Sequence, residues 1–96
     1  MPQYIYIIKP TKESFIETGT EDDWNSMSEH FQYLKTKLDK GELYIAGPET
    51  NTKFGIAVFD ADDDEEANSF MLNDPAVKNK VVTGEVFPFR VSLLKK

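Results

Sequence analysis

Residues 20–41, TEDDWNSMSEHFQYLKTKLDKG, give the strongest structural signal in the chain and contain its one histidine. Thr20 and Asp23 have the spacing of a capping box, and Gly41 suits the left-handed position that follows a helix. Apolar side chains recur every three or four residues, at Trp24, Met27, Phe31, Leu34 and Leu38. This spacing predicts an amphipathic helix with one apolar face.

His30 lies beside this apolar face. At about 100° per residue, its side chain is roughly 70° from the centre of the face. We therefore expect His30 at the boundary of the core, where a lone histidine most often has no chemical role. Because histidine titrates near neutral pH, it is nevertheless the best candidate for a general base in this chain.

The rest of the chain alternates strands with helices. Strands are predicted where β-branched and aromatic residues are concentrated, at residues 4–8, 43–46, 54–59 and within 81–94. A polar connection at residues 11–19 contains Phe15 and Ile16, which suggests that it folds back against the protein. A second helix follows the acidic run at residues 60–66. The order β-α-β-β-α-β predicts a ferredoxin-like α+β fold, with two helices on one face of an antiparallel sheet.

The strands are apolar on both faces of the predicted sheet. In the first strand, Ile5 and Ile7 point one way, and Tyr4, Tyr6 and Ile8 point the other way. Two helices cover only one face, and monomers avoid exposing a large apolar patch. We therefore predict a homodimer that joins through its sheet faces. The alternative is a monomer with a partly apolar open sheet.

Composition limits the possible classes of function. The chain has 96 residues, no cysteine and a net charge of −6. This length fits one domain over residues 1–96. The lack of cysteine excludes disulfides and is typical of a reducing compartment, so we expect a cytoplasmic protein. Neither nucleic acid nor a membrane surface is expected as a partner, because both need basic patches, and the N-terminal residues do not resemble a signal peptide.

Asp74 is the second candidate for a chemical role. Asp74 followed by Pro75 is a favourable start for a helix, which would make the carboxylate a simple N-cap. A helical spacing from Ala67 to Asp74 would instead place the carboxylate on the buried face of a longer second helix. A buried carboxylate needs a partner, and it would orient the ring of His30. The spacing leaves both interpretations open.

Arg90 is the third candidate. On the last predicted strand Phe87 and Phe89 take one face, so Arg90 shares the other face with Val86 and Pro88. An arginine on a largely apolar face would bind an anionic group of a substrate. It would equally pair with an acid at the dimer contact, or lie at a solvated end of the sheet.

No metal site or cofactor is expected. The acidic run begins like a calcium loop, but Glu65 and Met71 occupy the positions at which such a loop needs Gly and Glu. One histidine without cysteine does not make a usual transition-metal site. Residues 47–53 lack the second glycine of a phosphate-binding loop, and there is no nucleophilic serine motif.

Five short segments together resemble a known family. They are HFQYL (30–34), AGP (46–48), FGIAVF (54–59), NDPAV (73–77) and PFRV (88–91). On these segments the chain resembles the YCII-related (YciI-like) proteins, a branch of the dimeric α+β barrel superfamily. The resemblance implies a ferredoxin-like fold, dimers joined by their sheets, and an active-site His–Asp pair at the positions of His30 and Asp74. Within the matched segments, Gly47, Pro48 and Arg90 are assigned to substrate binding.

We therefore expect a small-molecule enzyme that uses no metal. His30 would act as general base or acid and Asp74 would orient it, in an isomerisation, an elimination or a similar reaction of a metabolite, ring-containing in related barrels. The alternative is a non-catalytic dimer that binds a metabolite or a protein, with Asp74 only a helix cap. A cofactor-free or haem-linked oxygenase, with His30 and Trp24 as candidates, has no further support in the sequence.

Overall fold

The structure, a computed structural model, describes residues 2–12 and 15–95, with the backbone alone at residues 15 and 16. The expectation about the side chains of Phe15 and Ile16 therefore lies outside the described residues. The elements run in the order β1 (Gln3–Pro10), α1 (Phe15–Thr18), α2 (Glu21–Asp39), β2 (Leu43–Pro48), β3 (Gly55–Asp60), α3 (Asp64–Leu72), α4 (Pro75–Lys78) and β4 (Val82–Phe89). The single-turn helix α1 lies in the segment that the sequence analysis assigns to a polar connection, and α4 follows the helix start predicted at Asp74 and Pro75.

The four strands form one antiparallel sheet in the order β2-β3-β1-β4. The two longer helices, α2 and α3, contribute side chains to a single core cluster with one face of this sheet. The predicted ferredoxin-like α+β fold is thereby confirmed. Pro88 lies on β4, which is an edge strand, where a missing backbone N–H costs least.

The ends of α2 follow the predicted capping chemistry. The Thr20 hydroxyl accepts a hydrogen bond from the Asp23 N–H at 3.1 Å, and the Asp23 carboxylate accepts one from the Thr20 N–H at 3.0 Å. After the helix, Gly41 has φ of +76°, a conformation that costs glycine little.

Across the described residues, no helix is both long enough and apolar enough to cross a membrane.

The core lies between the sheet and the longer helices. Alternate residues of β1 point into it, and Tyr6 is opposite Ala57 of β3 and Val86 of β4. Tyr4 and Ile8 flank Tyr6 on the same face, and all three are buried. The remaining residues of β1 face the other side of the sheet. There Phe87 and Phe89 of β4 are 45% and 43% exposed, so this second face is apolar and partly open.

The orientation of α2 differs from the prediction. Its buried residues are Ser26, His30 and Leu34, which are spaced one turn apart. Trp24 and Phe31, predicted to lie on the apolar face, are 44% and 64% exposed. The helix is rotated because its apolar residues serve two neighbours: part of the stripe packs on the core, and part faces the β2–β3 hairpin. His30 is therefore a buried residue and not a boundary residue.

Candidate active site

His30 and Asp74 meet inside the protein. The Nδ1 atom of His30 lies 2.5 Å from Oδ2 of Asp74, although 44 residues separate them in the chain. The His30 side chain is 10% exposed and that of Asp74 is fully buried. The structure thus brings together the two residues whose pairing the sequence spacing left open.

Asp74 is both a helix cap and the partner of His30. It is the N-cap of α4, with its Oδ1 accepting a hydrogen bond from the Ala76 N–H at 2.9 Å and Pro75 in the first turn. The longer second helix that would have carried Asp74 on its buried face is not formed, because α3 ends at Leu72. Asp74 reaches His30 from the start of a new helix, which leaves Oδ2 free for the imidazole.

Tyr6 completes the group and was missed by the sequence analysis. Its hydroxyl donates a hydrogen bond of 2.8 Å to Oδ2 of Asp74, the oxygen that also contacts His30. Burial, followed by the negative charge of Asp74, raises the pKa of Tyr6 well above its ordinary value. The phenol therefore remains a hydrogen-bond donor. Three donors converge on Asp74, so this buried carboxylate has the partners that burial demands.

A second contact fixes α4 against α2. The side-chain N–H of Asn79, at the end of α4, donates to the hydroxyl of Ser26 at 2.9 Å. Ser26 lies one turn before His30 on the same buried face of α2. Both ends of α4 are therefore tied to consecutive turns of α2. This arrangement sets the distance between Asp74 and the ring of His30.

Aromatic rings pack behind the carboxylate. Phe70 of α3 contacts Tyr6 edge to face and stacks on Tyr33, with ring centroids 6.4 Å and 4.9 Å apart. Tyr33 also donates its hydroxyl hydrogen to the Phe70 carbonyl. Burial, and then the charge of Asp74, raises the pKa of Tyr33 to about 12. The packing of Phe70 on Tyr6 restrains one of the groups that hold Asp74.

A cleft of about 660 Å³ opens on the other side of His30, between α2 and the β2–β3 hairpin. Its lining comprises Ile8, Pro10, Trp24, Met27, His30, Phe31, Leu34, Lys35, Leu38, Leu43, Tyr44, Ile45, Ala46, Gly47, Pro48, Thr52, Phe54, Gly55, Ile56 and Val82. His30 uses Nδ1 for Asp74, which leaves Nε2 as the ring nitrogen available to a molecule in the cleft. A largely apolar cleft with a few polar side chains at its wall is a typical small-molecule site.

The other predicted site residues divide into two groups. Gly47 and Pro48 line the cleft from β2. Arg90 does not: it follows the end of β4, is exposed, and lines a separate shallow depression with Gln3 and Tyr4. The strand stops before Arg90, so the face that the sequence analysis gave it does not extend that far. Within the described chain, the cleft contains no guanidinium.

Metal ligands are not gathered at this site. Among residues 2–12 and 15–95 no group of three or more His, Asp or Glu side chains is placed to hold a metal ion. The arrangement that is present, an imidazole held by a buried carboxylate beside an apolar cleft, is suited to proton transfer.

Comparison with known proteins identifies a family and a solved structure with a similar fold. The YCII-related domain matches residues 3–90 of the chain. The chain belongs to the YCII-related family. One similar solved structure is 5-chloro-2-hydroxyhydroquinone dehydrochlorinase (TftG) from Burkholderia phenoliruptrix AC1100, in complex with 2,5-dihydroxybenzoquinone. The two sequences are 16% identical. The structural alignment covers 91% of this chain and 93% of the TftG chain, with a TM-score of 0.67.

At that identity the likeness to TftG shows a shared fold. No curated protein matches the chain. The family resemblance predicted from five short segments is confirmed by the family match over residues 3–90. The roles of individual residues rest on the geometry described above.

Proposed function

We propose that this YCII-related protein is a small-molecule enzyme in which His30 transfers protons without a metal. The observation that carries the proposal is the contact of His30 Nδ1 with the buried Asp74, at the wall of an apolar cleft. A neutral imidazole that donates from Nδ1 has an unprotonated Nε2, which is the form a general base requires.

The proposed reaction follows from this arrangement. Nε2 takes a proton from an acidic C–H or O–H group of the substrate, which leaves an anion in the cleft and an imidazolium at His30. The Asp74 carboxylate compensates the new positive charge, and Tyr6 holds the carboxylate in place. In an isomerisation the imidazolium then returns the proton to another atom of the substrate. In an elimination the anion expels a leaving group, and the imidazolium gives its proton to that group or to water.

The comparison with TftG supports this class of reaction. That neighbour is described as a dehydrochlorinase and was solved with a quinone, which is a small organic ring. Removal of hydrogen chloride is an elimination, in which a proton and a chloride both leave the substrate. The His30–Asp74 pair is suited to taking a proton of this kind from a substrate.

Deuterium exchange tests whether His30 transfers protons, and it does not require the natural substrate to be known. Compounds that raise the melting temperature of the wild-type protein are incubated with it in D₂O, and loss of substrate C–H signals is followed by NMR. We expect exchange with the wild type, none above background with His30→Gln, and wild-type exchange with the control Glu29→Gln, whose side chain is exposed. Equal exchange by wild type and His30→Gln would remove the catalytic role. Binding without any exchange would favour a non-catalytic binding module.

We further propose that two copies join through the open face of the sheet. This face presents Ile5 and Ile7 of β1 beside Ile56 of β3 and the half-exposed Phe87 of β4. Side chains of this kind on adjacent strands form one apolar surface, which a second copy would cover.

Phe87→Glu is expected to shift the protein from dimer to monomer. A carboxylate buried between two apolar sheet faces would be unpaired, and such burial is costly. The mass in solution is measured by light scattering during gel filtration. Leu72→Glu on α3, also at an exposed position, is the control and should leave the dimer intact. A wild-type protein that remains a monomer at high concentration would contradict the prediction.

A further inference from the structure

The cleft beside His30 is large for a single small ring. Its volume is about 660 Å³, whereas an apolar cavity of about 150 Å³ accepts benzene. Sites of this size commonly enclose molecules with several rings or an equivalent chain. The available space therefore favours a ligand larger than one six-membered ring.

The walls of the cleft are apolar on both sides. From α2, Phe31 and Leu38 are 64% and 51% exposed, and from the hairpin side Ile45 and Phe54 are 55% and 43% exposed. Large apolar side chains that stay exposed around one shared space mark a binding surface. A ligand with an extended apolar body would cover part of this apolar lining, including Phe31 and Leu38 of α2.

The cleft has little to offer an anion. Among the described residues that line the cleft, Lys35 is the one with a fixed positive charge. Its ammonium is 3.3 Å from the Asp39 carboxylate on the surface of α2. Arg90 lines a different depression. The net charge of the chain, −6, repels anions further. A carboxylate entering this apolar space would lose its hydration without gaining a strong partner.

We propose that the ligand of this cleft is an uncharged molecule with an apolar body of at least two rings, or the equivalent chain, and one hydroxyl or similarly acidic group directed at His30. This inference rests on the proposed function for the acidic group, since Nε2 of His30 is the atom that would receive its hydrogen. The size of the ligand rests on the cleft, and its neutrality rests on the cleft and on the net charge of the chain. An anionic substrate, as the sequence analysis considered for Arg90, is thereby disfavoured.

Three probes test size and charge separately: phenol, 2-naphthol and 2-naphthoate. At neutral pH the first two are uncharged and the third is an anion with the same ring system as 2-naphthol. Trp24 lines the cleft and is the single tryptophan of the chain, so its indole N–H gives one NMR signal that reports binding. We expect 2-naphthol to bind about tenfold more tightly than either of the other probes, because it alone buries two rings without burying a charge.

Matched leucine variants locate the probe. Leu38 lines the cleft and Leu72 does not, and both lie on helices at 51% and 58% exposure. We expect Leu38→Ala to weaken 2-naphthol binding about threefold or more and Leu72→Ala to leave it unchanged. The proposal would be overturned if Leu72→Ala weakened binding and Leu38→Ala did not. It would also be overturned if 2-naphthoate or phenol bound as tightly as 2-naphthol, or if 2-naphthol did not bind at millimolar concentration.

The same titration on His30→Gln separates this inference from the proposed function. Retained preference for 2-naphthol, together with lost deuterium exchange in other compounds, supports both. If the wild type shows the preference but exchanges no compound, the catalytic role fails and the ligand class stands. If exchange depends on His30 but occurs only in anionic or single-ring compounds, the ligand class is overturned and the catalytic role stands.

Discussion

Asp74→Asn is expected to reverse the tautomer of His30 and to lower turnover by a factor on the order of 10² to 10⁴. Both oxygens of Asp74 act as acceptors: Oδ1 from the Ala76 N–H, and Oδ2 from Tyr6 and His30. Asparagine has one oxygen and one NH₂ group, so it cannot accept on both sides. If its oxygen keeps the helix cap, its NH₂ donates to Nδ1 of His30, and the ring proton moves to Nε2.

The tautomer can be observed without a substrate. His30 is the one histidine of the chain, so the nitrogen chemical shifts of its ring are assigned without ambiguity. In the wild type we expect the proton of the neutral ring on Nδ1, and in Asp74→Asn on Nε2. The control is Asp62→Asn, the same substitution at an exposed aspartate, and it should leave the spectrum unchanged. A ring in Asp74→Asn that keeps its proton on Nδ1 would contradict the proposed role of the carboxylate.

The features of this fold that sequence predicts are those set by neighbouring residues. The capping box of Thr20 and Asp23 involves residues three apart, and it was predicted and is present. Asp74 followed by Pro75 likewise marks the start of α4, whose backbone bonds are local. Such signals depend on backbone geometry over one turn and hold whatever the rest of the chain does.

The orientation of α2 could not be read from its own residues. Helical periodicity shows which side chains are apolar, but not whether they face a packed core or an open cleft. Phe31 and Leu38 are exposed in the cleft, whereas Leu34 is buried in the core and only borders the cleft. That division depends on the position of the β2–β3 hairpin, and it turns His30 from a boundary residue into a buried one.

Tyr6 illustrates what long-range contacts add. In the sequence it is one of several apolar or aromatic residues in β1, and its partner Asp74 is 68 residues away. One signal was available: a tyrosine in the middle of a buried strand needs a partner for its hydroxyl, and a buried aspartate needs donors. Applying the two requirements together would have suggested that Tyr6 pairs with Asp74. It would not have shown that Tyr6 and His30 contact the same oxygen of Asp74.

Gly84→Ala is expected to destabilise the folded protein by about 2 kcal/mol, because it overpacks the core beside the site. A methyl carbon at Gly84 would lie 2.6 Å from the ring of Tyr6 and 2.9 Å from the side chain of Met71. Met71 is flexible and can move aside. Tyr6 is fully buried and bonded to Asp74, so its ring can move only by disturbing the group that holds His30.

The same substitution at Gly47 provides the control. A methyl carbon there meets nothing within 4 Å, and we expect Gly47→Ala to change the free energy of unfolding by less than about 0.5 kcal/mol. Both values come from denaturant unfolding followed by circular dichroism. Equal stability of the two variants would show that the core yields at Gly84. A glycine inside a strand normally weakens it, so a large loss at Gly84 would indicate that this position serves the close approach of Tyr6, and through Tyr6 the placement of Asp74.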